Sequence, residues 1–318
     1  MRCLVTGAAG FIGSRLSFRL LADGNDVVGL DDLSTGSLEN LSDQPEIDLE
    51  VGDLRDADLV TRVARGCEVI YHLGAVRSVP RSIAEPVLTT EVNVGGTLNV
   101  LMAAHEHGAR VVTASSSSVY GDQDHYPLHE QLVPRPKSPY AASKMAGESY
   151  CRAWWQSFGV PAVSLRYFNV YGPRQDSTSQ YAVVVPLFVL ACLDGRRPVI
   201  HGDGNQARDF TFIDDAVEAT IAAAHAGEEA FGRAFNIGGG QIPTSVNDLL
   251  AKIALLTRTQ PDPEFVPTRE GDVLLTHADL SMSSRILGYH PKVAIDEGLK
   301  RVVEWFETEA SSRLIAQV

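Results

Sequence analysis

The sequence predicts an α/β fold, a doubly wound parallel sheet with a smaller C-terminal lobe. Three observations carry this: short apolar runs alternate with helix-length amphipathic segments, a glycine-rich turn follows the first run, and the texture changes after Tyr171. Cys3-Thr6, Val27-Asp31, Leu49-Gly52, Val69-Leu73, Arg110-Ala114 and Ala162-Tyr167 read as strands. Phe11-Ala22, Val92-His107 and Tyr140-Phe158 have the length and spacing of helices. Beyond Tyr171, glycine and proline become frequent and strand signals shorten. The expected division is residues 1–170 and 171–318, with a segment near 205–245, containing the apolar Phe235-Asn236-Ile237-Gly238, returning to the main sheet.

Composition narrows the function classes. A chain of 318 residues with 44% hydrophobic and 21% charged content has enough apolar material for a sizeable core. A formal charge of −13 argues against broad binding to nucleic acid or to an anionic membrane. The apolar Val183-Leu193 stretch is too short to span a bilayer and contains Pro186, so it reads as buried structure. The first strand begins at once, leaving no room for a secretory leader, and a cytoplasmic location is expected. Cys3, Cys67, Cys151 and Cys192 are widely spaced, so neither disulfides nor a metal site is expected.

The first turn, Gly7-Ala8-Ala9-Gly10-Phe11-Ile12-Gly13, has GxxGxxG spacing between a strand and a helix. In that place backbone N–H groups and the positive helix end meet a pyrophosphate, as in Rossmann-type folds. Asp31 ends the second strand eighteen residues after Gly13, and Asp32 follows it. A carboxylate there accepts from adenosine ribose hydroxyls and repels a 2′-phosphate, so NAD is expected rather than NADP. Asp53-Leu54 and Leu73-Gly74-Ala75 stand at the ends of the next two strands, where open sheets bind ligands.

Ser138-Pro139-Tyr140-Ala141-Ala142-Ser143-Lys144 starts a helix, with Ser138 as cap and Pro139 in the first turn, and puts Tyr140 and Lys144 on one face. An adjacent ammonium favours the phenolate of a tyrosine, which then serves as a base. The run Ser115-Ser116-Ser117-Ser118 leaves the fifth strand at its carboxyl end and offers a hydroxyl to the same substrate oxygen.

These segments, with Arg166-Tyr167-Phe168-Asn169-Val170-Tyr171-Gly172-Pro173-Arg174, resemble the extended short-chain dehydrogenase/reductase superfamily in its sugar-nucleotide epimerase/dehydratase branch. Val79-Pro80-Arg81-Ser82 and Arg208-Asp209-Phe210 resemble the UDP-N-acetylglucosamine and UDP-glucose 4-epimerases. The resemblance implies Ser116, Tyr140 and Lys144 as the catalytic set. It places Gly7, Gly10, Phe11, Ile12, Gly13, Asn93 and Tyr167 along the cofactor. Around the UDP-sugar it implies Arg77, Ser78, Asn169, Val184, His201, Arg208, Arg269, Asp272 and Thr276. Thr276 aligns with a position whose size limits the space beside the sugar 2-substituent, and a small residue there admits an N-acetyl group.

The expected activity is 4-epimerisation of a UDP-hexose, UDP-GlcNAc/UDP-GalNAc first and UDP-Glc/UDP-Gal second, by a homodimer with a four-helix contact. Sugar-nucleotide dehydratases carry an Asp-Glu pair where this chain has Ser117 and Ser118. That reading, a UDP-glucuronate epimerase or decarboxylase, and a non-catalytic NAD sensor remain the alternatives.

Overall fold

The computed structural model describes residues 1–44, 46–176, 183–268 and 273–315, with side chains through Thr308. Seven parallel strands form the central sheet: β1 (Arg2–Thr6), β2 (Asp26–Asp31), β3 (Asp48–Val51), β4 (Val69–His72), β5 (Arg110–Ser116), β6 (Ala162–Tyr167) and β7 (Arg233–Ile237). Their order is β3-β2-β1-β4-β5-β6-β7. The order reverses between β1 and β4, and that reversal opens a crevice at the carboxyl ends of the strands.

Alternate residues of the strands feed two cores. Cys3, Val5, Val27, Val69, Tyr71, Val112, Val163 and Leu165 face one side. Leu4, Val28, Ile70, Val111 and Ala162 face the other. The period of two fixes register, because a slip of one residue would exchange the faces. Helices α1 (Phe11–Ala22), α2 (Ala57–Ala64), α3 (Gly96–His107) and α4 (Pro139–Phe158) cover the sheet. Leu59, Val60, Val100, Leu101 and Cys151, from α2, α3 and α4, share the second core.

The return of a late segment to the sheet is observed: β7 pairs in parallel with β6 from Arg233↔Val163 to Ile237↔Tyr167. The helix expected from Val92 differs. Helical turns begin at Pro86, Glu91–Gly95 winds as a π-helix, and α3 proper starts at Gly96. Apolar spacing does not register the widened turn. The apolar stretch with Pro186 is helix α5 (Val184–Leu193), where proline occupies the first turn and removes no internal hydrogen bond. Helices α6 (Ile213–His225), α7 (Val246–Thr257) and α8 (Ile295–Ile315) complete the second half. Its strands are short pairs, Val170–Tyr171 with Thr211–Phe212, Ala207–Arg208 with Thr244–Ser245, and Val199–His201 with Glu264–Val266. No described helix is long and apolar enough to cross a membrane.

His72 ties the crevice together from below. Its Nδ1 lies 2.9 Å from Thr6 Oγ1 and its Nε2 lies 3.0 Å from Thr97 Oγ1. The Thr97 hydroxyl already donates to Asn93 O, so Nε2–H donates and Nδ1 accepts, which is a neutral ring. Burial pushes its pKa down to about 3, from an ordinary value of 6.5. The unfolded chain therefore binds a proton at this ring first as pH falls below 6.5, and the folded chain does so only near 3. We expect Tm to fall between pH 7 and 5, above the ordinary carboxylate range, with a smaller fall in His72→Gln; equal slopes in the two proteins would remove His72 from this role.

Candidate active site

At the end of β1 the chain turns at Gly7 with φ +70°, a conformation that favours glycine. A Cβ on Gly7 would lie 2.8 Å from Gly74 N, and one on Gly13 would lie 1.9 Å from Gly7 O. The turn therefore brings β1, β4 and α1 to a separation that side chains would prevent. Gly10 caps α1 without a side-chain hydrogen bond, so the first-turn N–H groups stay available to an outside anion. Thr6 Oγ1 accepts from Gly74 N at 3.1 Å and holds the opposite lip.

Asp31 is buried at the end of β2, and its two oxygens accept from Ala9 N at 2.9 Å and Leu33 N at 2.8 Å. The carboxylate thus fastens the glycine turn to β2 while facing the cleft, and burial raises its pKa. Asp32 accepts from Ser34 N and Oγ. Asp53 is paired with Arg55, which also reaches Glu91, and Leu54 is buried beside Gly74 and Gly96.

A cleft of about 1260 Å³ runs from this turn across the carboxyl edge of the sheet to the second half. Gly7, Gly10, Phe11, Ile12, Gly13, Asp31, Asp32, Asp53, Leu54, Leu73, Ala75 and Tyr167 all line it. Asn93 does not. Its side chain is buried, donating to Val76 O and Ser143 Oγ and accepting from Val76 N, so it supports the cleft wall from behind.

Ser116, Tyr140 and Lys144 meet midway along the cleft. Ser138 Oγ accepts from Ala141 N at 3.1 Å and starts α4 with Pro139 in its first turn. One turn in, Lys144 Nζ donates to Ala114 O at 2.8 Å and sits 5.9 Å from the centre of the Tyr140 ring. Burial lowers the Lys144 ammonium to about 8. Burial raises the Tyr140 phenol, while the neighbouring Ser116 hydroxyl and the charge of Arg77 lower it. Ser118 N and Oγ both donate to Ser116 Oγ, at 3.2 and 2.9 Å. The result is a weak acid held beside two cations and a hydroxyl, suited to proton transfer with a substrate hydroxyl.

At the far end, Arg77, Ser78, Asn169, Val184, His201, Arg208 and Thr276 line the same cleft. Asn169 has φ +37°, and its Nδ2 donates to Asp209 O and to Thr276 Oγ1, both at 3.0 Å. Thr276 Oγ1 also accepts from Asp209 N. His201 Nδ1 lies 3.2 Å from Pro267 O, and Ser78 caps the short helix Val79–Ala84. Arg269 and Asp272 lie outside the described residues. Sequence reasoning missed Asp209 as an organiser: buried, it accepts from Gly239 N and Ala278 N and joins three segments under Thr276. Arg174, another cleft residue, pairs with Asp43 beside the glycine turn. Its place in the Gly-Pro-Arg run was visible, but its partner was not.

The sequence profile of the NAD dependent epimerase/dehydratase family matches residues 3–238. The chain belongs to that family. NAD is its cofactor, and the uncrowded glycine cradle with Asp31 at the end of β2 fits that group. The family member is 43% identical over 316 residues to the UDP-glucose 4-epimerase of Mycolicibacterium smegmatis, covering 98% of this chain and 100% of that one. The structure of UDP-glucose 4-epimerase from Thermotoga maritima with UDP-glucose is similar at a TM-score of 0.93 and 35% identity, over 98% and 100% of the two chains. The UDP-N-acetylglucosamine 4-epimerase of Methanobrevibacter ruminantium, in complex with UDP-N-acetylmuramic acid, gives 0.91 and 35% over 97% and 98%.

Gly13→Ala tests the cradle. We expect a folded protein whose NAD affinity, measured by calorimetry, falls at least about tenfold because α1 must move off β1; wild-type affinity would contradict the close approach.

Proposed function

We propose that this family member interconverts UDP-hexoses at C4, with residues 1–170 holding NAD and 171–318 holding most of the UDP-sugar. The observation that carries the reading is the joint placement of Ser116, Tyr140 and Lys144 in one cleft with the glycine cradle and the arginine-bearing far end. When bound, NAD supplies the reversible removal of hydrogen from the sugar carbon. Tyr140 takes the 4-hydroxyl proton, Ser116 holds that oxygen, and Lys144 keeps a positive charge beside the phenolate. Rotation of the 4-keto sugar about its diphosphate linkage presents the other face, and Tyr140 returns the proton.

Ser117 and Ser118 support epimerisation over dehydration, because both line the cleft and neither is an acid or base suited to expelling water. Arg208 supports a diphosphate at the far end, through guanidinium hydrogen bonds to phosphate oxygens. Arg269 and Asp272 complete the proposed UDP site by resemblance. The Thermotoga and Methanobrevibacter relatives favour a UDP-hexose, and the small Thr276 favours acceptance of a 2-acetamido group alongside a 2-hydroxyl. A homodimer through α3 and α4 is part of the proposal; Met102 and Phe158, 58% and 52% exposed, supply apolar surface on those helices.

Purified protein incubated with UDP-GlcNAc, without added reductant, should form UDP-GalNAc by proton NMR. A 4-keto-6-deoxy product would overturn the proposal in favour of dehydration. Tyr140→Phe should retain NAD and lose about 10²- to 10⁴-fold in kcat, and unchanged turnover would exclude it as the base. Thr276→Tyr should lose more kcat/KM with UDP-GlcNAc than with UDP-glucose; the same loss with both would show that Thr276 does not read the 2-substituent.

A further inference from the structure

Behind the catalytic groups lies an ion pair that the proposed chemistry does not use. Glu148 stands one turn beyond Lys144 on α4, and Arg166 projects from β6. Arg166 Nε donates to Glu148 Oε1 at 2.8 Å and Nη2 to Oε2 at 2.7 Å, and the two side chains are only 5% and 11% exposed. The Arg166 guanidinium also lies over the Tyr120 ring, 4.7 Å from its centre, and the Tyr120 hydroxyl donates to Asn236 Oδ1 on β7. A two-point ion pair packed in this way fixes the carboxylate in position as well as in charge.

The carboxylate has one more partner, and that partner gives it a functional meaning. Ser115 Oγ donates to Glu148 Oε1. Ser115 is the residue before Ser116, and the residue before it, Ala114, accepts from Lys144 Nζ. The end of β5 is therefore held to α4 at two successive residues, through Lys144 and through Glu148. Backbone shifts of about 1 Å at a reacting centre are enough to cost on the order of 100-fold in rate.

We propose that Glu148 is a positioning residue, which through Ser115 fixes the Ser116 hydroxyl against the Tyr140 phenol while Arg166 aims the carboxylate through two hydrogen bonds. This rests on the epimerase reading for its consequence in turnover, but not for its geometry. Loss of the Ser115 link lets Ser116 drift, and the support that its hydroxyl gives the Tyr140 phenolate weakens. Among the described residues, the titratable and charged groups around Tyr140 and Lys144 include Glu148 on the same helix, His72 from β4, Arg77 from the segment after β4, Arg166 and Tyr167 from β6, and Lys137. Ser115→Ala removes one hydrogen bond to Glu148 and replaces no charged group, whereas Glu148→Gln leaves Arg166 without its counter-ion and endangers folding.

The experiment therefore uses the full-length holoenzyme carrying Ser115→Ala, with Ser115→Thr as the variant that restores a hydroxyl. We expect Ser115→Ala to lower kcat between about 10- and 100-fold with KM changed less than about twofold, and to move the acid limb of the kcat profile to higher pH. Ser115→Thr should recover both. Wild-type kcat and an unmoved acid limb in Ser115→Ala would overturn the proposal, as would a variant that loses thermal stability alone. A second measurement needs no turnover: ultraviolet titration of the Tyr140 phenol, isolated by subtracting the matching Tyr140→Phe protein. Its pKa should rise in Ser115→Ala, and no rise would refute the positioning role. If the wild-type protein acts on no UDP-hexose, the epimerase reading fails while this titration still decides the role of Glu148 and Ser115.

Discussion

A lysine ammonium withdrawn from water is costly unless it is hydrogen-bonded, and Lys144 is held by donating to the carbonyl of Ala114. That bond joins the first turns of α4 to the carboxyl end of β5. Tyr140 and Ser116, one from each element, are brought together by it. The depressed pKa of the lysine, about 8, is the mark of the same burial. A buried cation of this kind is a suitable neighbour for the phenol in its proposed role as base.

The rest of the molecule surrounds this junction. Parallel strands end at one edge, so the reversal of order between β1 and β4 leaves a crevice directly beside β5. On one side the glycine turn and Asp31 hold a place for NAD, with Asp31 bonded to the turn it serves. On the other, Asp209 draws Ala278, Gly239 and Thr276 together so that Asn169 and Thr276 face the cleft. The return of β7 to the sheet joins the two halves through one continuous core, from Cys3 and Val5 to Leu299 and Phe306.

Much of this was legible because it obeys local rules. Six strands and two of the three helices expected in the first half follow from period and capping, whereas the short α2 was missed, and Ser138 caps α4 as its residue type suggests. The glycine turn was readable because only a residue without Cβ fits at Gly7 and Gly13. Three things were not readable, for a shared reason. The π-turn at Glu91–Gly95, the tie of Asn93 to Val76 and Ser143, and the gathering role of Asp209 depend on tertiary context. The two-residue strand pairs of the second half are too short to show a period. Glu148 lay within reach, since Tyr140, Lys144 and Glu148 recur every four residues on one helix face, but its pairing with Arg166 and Ser115 required the fold.

In the proposed epimerisation, hydrogen leaves C4 of the sugar and returns to the same carbon without passing through water. The most direct measurement uses UDP-glucose or UDP-GlcNAc deuterated at C4, incubated with the purified enzyme in ordinary water and followed by NMR. The expected result is a C4-inverted product that keeps its deuterium. Inverted product with protium at C4 would contradict it, since the hydrogen would then have exchanged with solvent.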